Sequence, residues 1–229
     1  MRPLFAFSLK RRSTALSRLP ARAFSGQEGA HRTDERRTID FGYEQVDYEQ
    51  KEERVKDVFD SVAESYDVMN DVMSLGIHRC WKDHLVNSLG PLKRKPVRSE
   101  DGKSTIFQPL QMVDVAGGTG DVAFRIFDKA RASVPYYAPL SIDLTVADIN
   151  GSMLEVGKKR AKERGIAEGD IRWLEANCET MPELISDSLD VYTIAFGIRN
   201  VTNREKALAE AYRVLDKGGR FVCLEFADV

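Results

Sequence analysis

A chain of 229 residues, 42% hydrophobic and 31% charged, has the composition of one globular domain with a short extension. No run approaches the ~18 apolar residues a membrane helix needs, and collagen, coiled-coil and low-complexity readings are excluded. The formal charge of −2 lacks the basic surplus that nucleic-acid binders carry.

That charge is unevenly spread. Residues 1–27 hold Arg2, Lys10, Arg11, Arg12, Arg18 and Arg22 and no acid; without them 28 basic residues face 36 acidic ones, a net of −8. The same stretch is rich in serine (Ser8, Ser13, Ser17, Ser25), and Leu4, Phe5, Phe7, Leu9, Leu16 and Leu19 give it an apolar face. This is the composition of a mitochondrial transit peptide, drawn electrically toward a negative interior. Lys10, Arg11 and Arg12 interrupt the continuous apolar core that a secretory signal needs. Arg22-Ala23-Phe24-Ser25 resembles a matrix-protease site, with cleavage after Phe24. The competing reading is a disordered basic arm for acidic lipid or nucleic acid. The chain thus divides into a targeting segment at 1–24, a polar linker at 25–50 and a folded domain at 51–229.

Three cysteines (Cys80, Cys178, Cys223) without C-x-x-C spacing give neither a disulfide framework nor a zinc site. His31, His78 and His84 are too few and too scattered for a metal centre.

From Lys51 the pattern is helical, with Val55, Val58, Phe59, Val62 and Tyr66 at spacings of three and four. A second helix is predicted from Gly76 to Asn87, with Ile77, Trp81, Leu85 and Val86 apolar. Residues 91–109, bounded by Pro91 and Pro109, read as a loop-like surface insertion. Then strands alternate with helices. The strands are Gln111–Val115, Ser141–Ala147, Ile171–Ala176, Leu189–Phe196 and Arg220–Phe226. The helices are Val122–Ala132, Ser152–Gly165 (Ser152 read as its N-cap, Gly165 as its stop) and Arg204–Leu215, with Leu208, Ala211, Tyr212 and Leu215 on one face. Such alternation predicts a doubly wound α/β sheet with right-handed crossovers, binding its ligand at the carboxyl ends of the strands.

A glycine loop follows the first of these strands: Asp114-Val115-Ala116-Gly117-Gly118-Thr119-Gly120. Glycines let the backbone approach a ligand with no Cβ between. Gly118 to Ala123 also fits the dinucleotide pattern G-x-G-x-x-A, a weak signal alone. Asp114 would set an extra negative charge against a diphosphate, so it favours a ligand with a cationic end, such as the ammonium and sulfonium of S-adenosylmethionine. The second strand ends in Ala147-Asp148-Ile149-Asn150, where an acid can accept both hydroxyls of a ribose diol. Asn177, in Ala176-Asn177-Cys178-Glu179, could meet an adenine edge or serve only as turn chemistry.

Three segments together resemble the ubiquinone/menaquinone biosynthesis C-methyltransferase family. They are Tyr66-Asp67-Val68-Met69-Asn70-Asp71-Val72-Met73-Ser74 with His78 and Trp81; Ala116 to Asp121 with Ala147 to Asn150; and Ala195-Phe196-Gly197-Ile198-Arg199-Asn200-Val201 with Arg213 to Arg220 and Leu224-Glu225-Phe226. The resemblance covers residues 51–229, and with a targeting segment in front it points to the ubiquinone branch. It departs from the family at Ala195, where bacterial relatives have Ser, at Asp216-Lys217 in place of Lys-Pro, and at Ala227 in place of Ser.

The resemblance implies a class I S-adenosylmethionine-dependent methyltransferase, a Rossmann-like doubly wound sheet, that methylates a ring carbon of a polyprenyl benzoquinol. It would act at the matrix face of the mitochondrial inner membrane, beside other ubiquinone-biosynthesis proteins and without nucleic acid. The cofactor S-adenosyl-L-methionine would meet Asp114, Gly117, Gly118, Thr119, Gly120, Asp148 and Ile149, with Asn177 and Cys178 near the adenine. A ring carbon becomes nucleophilic when a neighbouring hydroxyl ionises, so the site needs phenolate stabilisation or a base. Arg199 is the candidate stabiliser, since a guanidinium stays protonated; its alternative is a structural ion pair. His78 is a base by its chemistry or helix packing by its spacing, Tyr66 could close over the pocket, and Asn200 could bond substrate.

The family's fold has two further strands as an antiparallel pair beside the fifth, and the sequence ends at Ala227-Asp228-Val229. The expectation is therefore strands six and seven missing, an open edge carrying Phe221, Val222, Leu224 and Phe226, and weak or no turnover unless a partner completes the sheet. Residues 25–229 expressed alone should then be poorly stable. The alternatives in function are a non-catalytic nucleoside-binding scaffold in a lipid-biosynthesis complex and, more remotely, an NAD-dependent oxidoreductase.

Overall fold

The computed structural model describes residues 3–10, 38–41, 44–47, 72 and 74–226. Five consecutive strands of the second half build the central sheet: β6 (Leu110–Val115), β7 (Ile142–Asp148), β8 (Ile171–Glu175), β9 (Leu189–Ala195) and β10 (Leu215–Phe226). They are parallel, in the order β10-β9-β6-β7-β8. The chain runs outward from β6 through β7 to β8, then returns to β9 on the other side of β6. The crevice at that reversal is where open α/β sheets hold ligands.

Parallel strands are buried on both faces, so their side chains are apolar on both. On one face Met112, Leu144, Val146 and Val191 pack with helices α1 (Ile77–Ser88), α2 (Asp121–Ala132) and α3 (Gly151–Glu163) through Leu85, Ile126, Phe127 and Leu154. On the other, Val113, Val115, Tyr192 and Ile194 pack with Ala211 and Val214 of α4 (Arg204–Val214) and with the 181–184 turn through Met181 and Leu184.

The predicted strands and helices of the second half match within a residue or two, except that β10 begins at Leu215, with a register irregularity before Arg220. Four local expectations are corrected. The cap of α3 is Asn150, whose Oδ1 accepts from Met153 N at 2.8 Å; Ser152 already lies inside the helix. On α4 the buried residues are Ala207, Ala211 and Val214, while Leu208 and Tyr212 are about half exposed, because the stripe that meets the sheet is narrow and built of small side chains. On α1 Ile77 is exposed and His78 and Lys82 are buried in its place. Residues 91–109 contain a hairpin, β4 (Lys95–Arg98) with β5 (Thr105–Gln108), turning through Gly102 at φ +68°. Its short strands carry almost no apolar alternation, so periodicity could not reveal them.

The predicted linker holds a second hairpin, β2 (Thr38–Phe41) with β3 (Glu44–Asp47). The expected open edge of the fifth strand is also corrected. Pro3–Lys10 (β1) pairs antiparallel with β10, from Pro3↔Phe226 to Lys10↔Arg220, so the main sheet has six strands. An unsatisfied row of strand amides and carbonyls is a strong template, and here the chain's own first segment fills it. The helix expected from Lys51 lies outside the described residues, as does Tyr66.

Candidate functional site

The site grows from the ends of β6 and β9, the two strands flanking the reversal. Each leaves the sheet through a non-glycine residue with positive φ, Ala116 (φ +51°) and Phe196 (φ +56°). Such strain persists only where surrounding packing fixes it, and it gathers at functional sites. The two turns abut so closely that a Cβ on Gly197 would lie 2.4 Å from the Ala116 methyl.

The glycine loop is tight for the same reason. Gly118 (φ +52°) and Gly120 (φ +86°) use a conformation that side chains resist, and Gly120 caps α2 with its backbone. A Cβ on Gly117 would meet Val146 at 2.7 Å. Thr119 is buried within the turn. The loop therefore lies flat over β6 and β7.

Asp114 sits beneath it, 1% exposed. Thr193 donates to its Oδ1 at 2.7 Å, and among the described residues its Oδ2 has no hydrogen-bond partner. Burial lifts this carboxyl to about 7, against the pull of Thr193 and Lys82. A buried oxygen left unpaired is costly, and this one is an acceptor waiting for a donor. An ammonium satisfies that need and a diphosphate cannot.

Asp148, at the end of β7, has a part that the sequence did not suggest. Its Oδ2 accepts from Gly118 N at 2.8 Å and its Oδ1 from Asn150 N at 2.9 Å. The carboxylate thus latches the glycine loop to β7. Ile149 adds a third backbone interaction with this carboxylate, whose roughly four lone-pair sites leave room for a ribose hydroxyl. Desolvation pushes its pKa up against the backbone hydrogen bonds that lower it. Ile149, beside it, is half-buried. Asn177 Oδ1 accepts from Glu179 N at 2.9 Å, the turn chemistry that was the alternative reading. Cys178 packs against the core cluster behind β9.

The second half of the site lies at the ends of β9 and β10. Arg199 stands in the short 3₁₀ turn Ile198–Asn200. Its guanidinium is ion-paired with Glu225 of β10, whose Oε2 also accepts from Arg199 N. The guanidinium lies 5.0 Å from the Phe226 ring centroid and 6.0 Å from that of Phe196. Trp81 of α1 completes the cluster, 5.8 Å from Phe226 edge-on and 6.2 Å from Phe196. Both the functional and the structural reading of Arg199 thus have a basis. Asn200 holds the turn through its own N–H to Gly197 O at 3.0 Å. His78 is buried at the start of α1, its N–H 3.4 Å from Ser74 Oγ.

Three contributors escaped the sequence reading. Lys82 bonds Asp121 Oδ2 at 2.7 Å at the start of α2; its position four residues after His78 was the available signal. Glu225 stood only as part of the Leu224-Glu225-Phe226 segment, and its pairing with a residue 26 positions away had no local signal. The Trp81–Phe196–Phe226 cluster joins residues from three separate segments. Among the described residues no three His, Cys, Asp or Glu side chains could hold a metal ion.

The family model of the ubiE/COQ5 methyltransferase family matches residues 47–229. The chain is 48% identical over 198 residues to the mitochondrial 2-methoxy-6-polyprenyl-1,4-benzoquinol methylase of Oryza sativa subsp. japonica, covering 82% of this chain and 62% of that one. It is 48% identical over 189 residues to the ubiquinone/menaquinone biosynthesis C-methyltransferase UbiE of Brucella abortus (strain S19), with the same coverages. The chain therefore spans less than two thirds of the length of these relatives. A chain in the complex of the Haloferax volcanii Trm112 methyltransferase activator with a methyltransferase superposes with a TM-score of 0.50 at 17% identity, over 72% of this chain and 58% of that one. That likeness is one of fold alone.

Proposed function

The chain belongs to the ubiE/COQ5 methyltransferase family, and we propose that it binds S-adenosylmethionine at the ends of β6 and β7 and methylates a ring carbon of a polyprenyl benzoquinol. The observation that carries the cofactor reading is Asp114, a buried carboxylate with an unpaired oxygen under a glycine loop. It fits a ligand with an ammonium and opposes a diphosphate, which sets NAD aside.

S-adenosylmethionine supplies an electrophilic methyl group on a sulfonium. Asp114 would accept from the ammonium, the Gly117–Gly120 turn would let the amino-acid end lie on backbone, and Asp148 would hold the ribose diol while fixing the loop. Thr119 and Ile149 would contact the same ligand, with Asn177 and Cys178 toward its adenine. Position matters most, because holding nucleophile, methyl and sulfur in line removes much of the barrier.

Arg199 would stabilise the phenolate that makes the ring carbon nucleophilic. Glu225 orients its guanidinium, and the aromatic cluster beside it suits a flat ring. Bound there, the cofactor would supply the methyl group to the ring carbon and leave as S-adenosylhomocysteine, the electron pair of the broken bond staying on sulfur, and the proton of the methylated carbon would pass to water or to His78. His78, Tyr66 and Asn200 remain candidates for proton transfer or substrate contact.

We further propose residues 1–24 as a mitochondrial targeting segment, whose removal would take β1 off the edge of β10, with 25–50 a linker and 51–229 the methyltransferase domain, acting at the matrix face of the inner membrane with other ubiquinone-biosynthesis proteins. Among the described residues no helix is long and apolar enough to cross a membrane. Val72, Leu75 (89% exposed) and Ile77 present apolar side chains at and just before the start of α1, which suits contact with a lipid surface. The test is methyl transfer to a short-chain quinol. Formation of methylated quinol and S-adenosylhomocysteine in equal amounts supports the reading; cofactor binding with no transfer favours the scaffold alternative.

A further inference from the structure

We propose that Lys82 anchors the carboxylate of the cofactor's amino-acid end, forming with Asp114 a seat of two opposite charges for that zwitterion. The inference rests on the S-adenosylmethionine reading and deepens it.

Lys82 lies on the inner face of α1, its side chain 8% exposed. Among the described residues it makes one hydrogen bond, to Asp121 Oδ2 at 2.7 Å. An ammonium has three donors, and burying donors without partners is unfavourable. Asp121 also accepts from Arg125 Nε at 3.1 Å through Oδ1, and Arg125 in turn pairs with Asp83, so Lys82 shares its partner and keeps N–H donors beyond that one bond. Lys82 is thus a buried cation with donating capacity to spare.

Asp114 is its counterpart, a buried carboxylate with one oxygen unpaired. A Cβ on Gly117, at the start of the glycine turn, would lie 3.1 Å from Asp114 Oδ2, and Lys82 bonds Asp121, the residue that follows Gly120 at its end. Asp114 and Lys82 flank Gly117–Gly120, the segment where a ligand could lie on bare backbone. In an amino acid the ammonium and carboxylate share one carbon, so a ligand with this end presents both charges within a few ångströms. Acceptor and donor on either side of the glycines match that pair, whereas a nucleoside without the amino-acid end would leave both unsatisfied. Asp114 alone selects for a cation; Lys82 adds selection for the carboxylate beside it.

The competing role is a clamp of α1 to α2 through Asp121. Calorimetric titration of the full chain with three ligands separates the two: S-adenosylhomocysteine, its decarboxylated analogue, and 5′-methylthioadenosine, which has no amino-acid end. The wild type should bind S-adenosylhomocysteine at least about tenfold tighter than the decarboxylated analogue, the size of one hydrogen bond to a charged group. Lys82→Met should shrink that ratio to within about threefold and leave 5′-methylthioadenosine affinity unchanged. An unchanged ratio in the variant, or an equal loss for all three ligands, overturns the anchor. If Lys82→Met does not fold, the wild-type ratio decides: below about threefold overturns the proposal. Absence of any binding to the wild type overturns the cofactor reading and the anchor with it, whereas tight binding with no carboxylate preference overturns the anchor alone.

Discussion

The two halves of the site are built differently. The proposed cofactor half is closed: Asp114, Thr119 and Lys82 are buried, and the loop above them is held to Asp148 through the Gly118 amide. The substrate half is open: Arg199 is exposed, ion-paired to Glu225 and set among aromatic rings that are only partly covered. On the proposed reading the first would bind by fixed polar geometry in a low dielectric, and the second would take a ring with a long apolar tail. The same strand ends can therefore hold one ligand rigidly and receive a bulky one.

If the halves are separable, damage to one should spare the other. The largest effect is expected at Arg199. Arg199→Ala should lower turnover by about 10²–10³-fold, as removal of one anion-stabilising donor does. Affinity for S-adenosylhomocysteine should stay within about twofold. Steady-state rates and calorimetry on the same preparation check both, and a large loss of cofactor affinity would break the separation.

On the other side, Asp148→Ala should weaken S-adenosylhomocysteine binding by roughly ten- to a hundredfold, from the loss of hydrogen bonds to a charged acceptor. Because Asp148 also holds Gly118 N, this variant should melt lower as well. Asp148→Asn keeps one acceptor oxygen and should fall between the two. Unchanged affinity in a folded Asp148→Ala protein would remove Asp148 from the ribose assignment.

Asp114 gives the cofactor half a pH signature. Its folded pKa is raised from 3.8 to about 7 by desolvation, with Asp121 and Asp148 adding to the rise and Lys82 opposing it. An ammonium needs the ionised form, so affinity for S-adenosylhomocysteine should improve by about tenfold between pH 6 and pH 8. The stability effect has the opposite sign. The folded state holds this proton and the unfolded state releases it, so stability contributed by Asp114 is present below about pH 4 and lost as pH rises to about 7. Asp114→Asn should flatten both curves, and parallel curves in variant and wild type would contradict the assignment.

The smallest effect concerns the loop itself. Gly120→Ala places a Cβ at φ +86°, 2.9 Å from Trp173. It should cost about 1–2 kcal/mol of stability from backbone strain, plus repacking. A thermal melt reads the cost directly, and an unchanged melting temperature would show that the loop is looser than it stands here.

The same contrast explains what the sequence disclosed. The parallel sheet and the glycine loop were legible because local rules set them: apolar strands, alternating helices and glycines where φ is positive. Asp114 and Asp148 were legible because they sit at strand ends beside that loop. The 95–108 hairpin escaped because its four-residue strands lack an apolar face, and Ile77 was misplaced because α1 turns a histidine and a lysine inward. The Arg199–Glu225 pair, the Trp81–Phe226 contact and the Lys82–Asp121 bridge join residues distant in the chain, and no local pattern encodes such meetings. β1 on the edge of β10 is the extreme case, joining opposite ends of the sequence.

The central claim is that the crevice beside β6 takes a ligand with an adenosine at one end and an ammonium at the other. Calorimetric titration of the full chain with S-adenosylhomocysteine and with NADH tests it most directly. The account predicts saturable, one-to-one binding of S-adenosylhomocysteine and at least about a hundredfold weaker binding of NADH, since the diphosphate would face Asp114. Equal or tighter binding of NADH would contradict it.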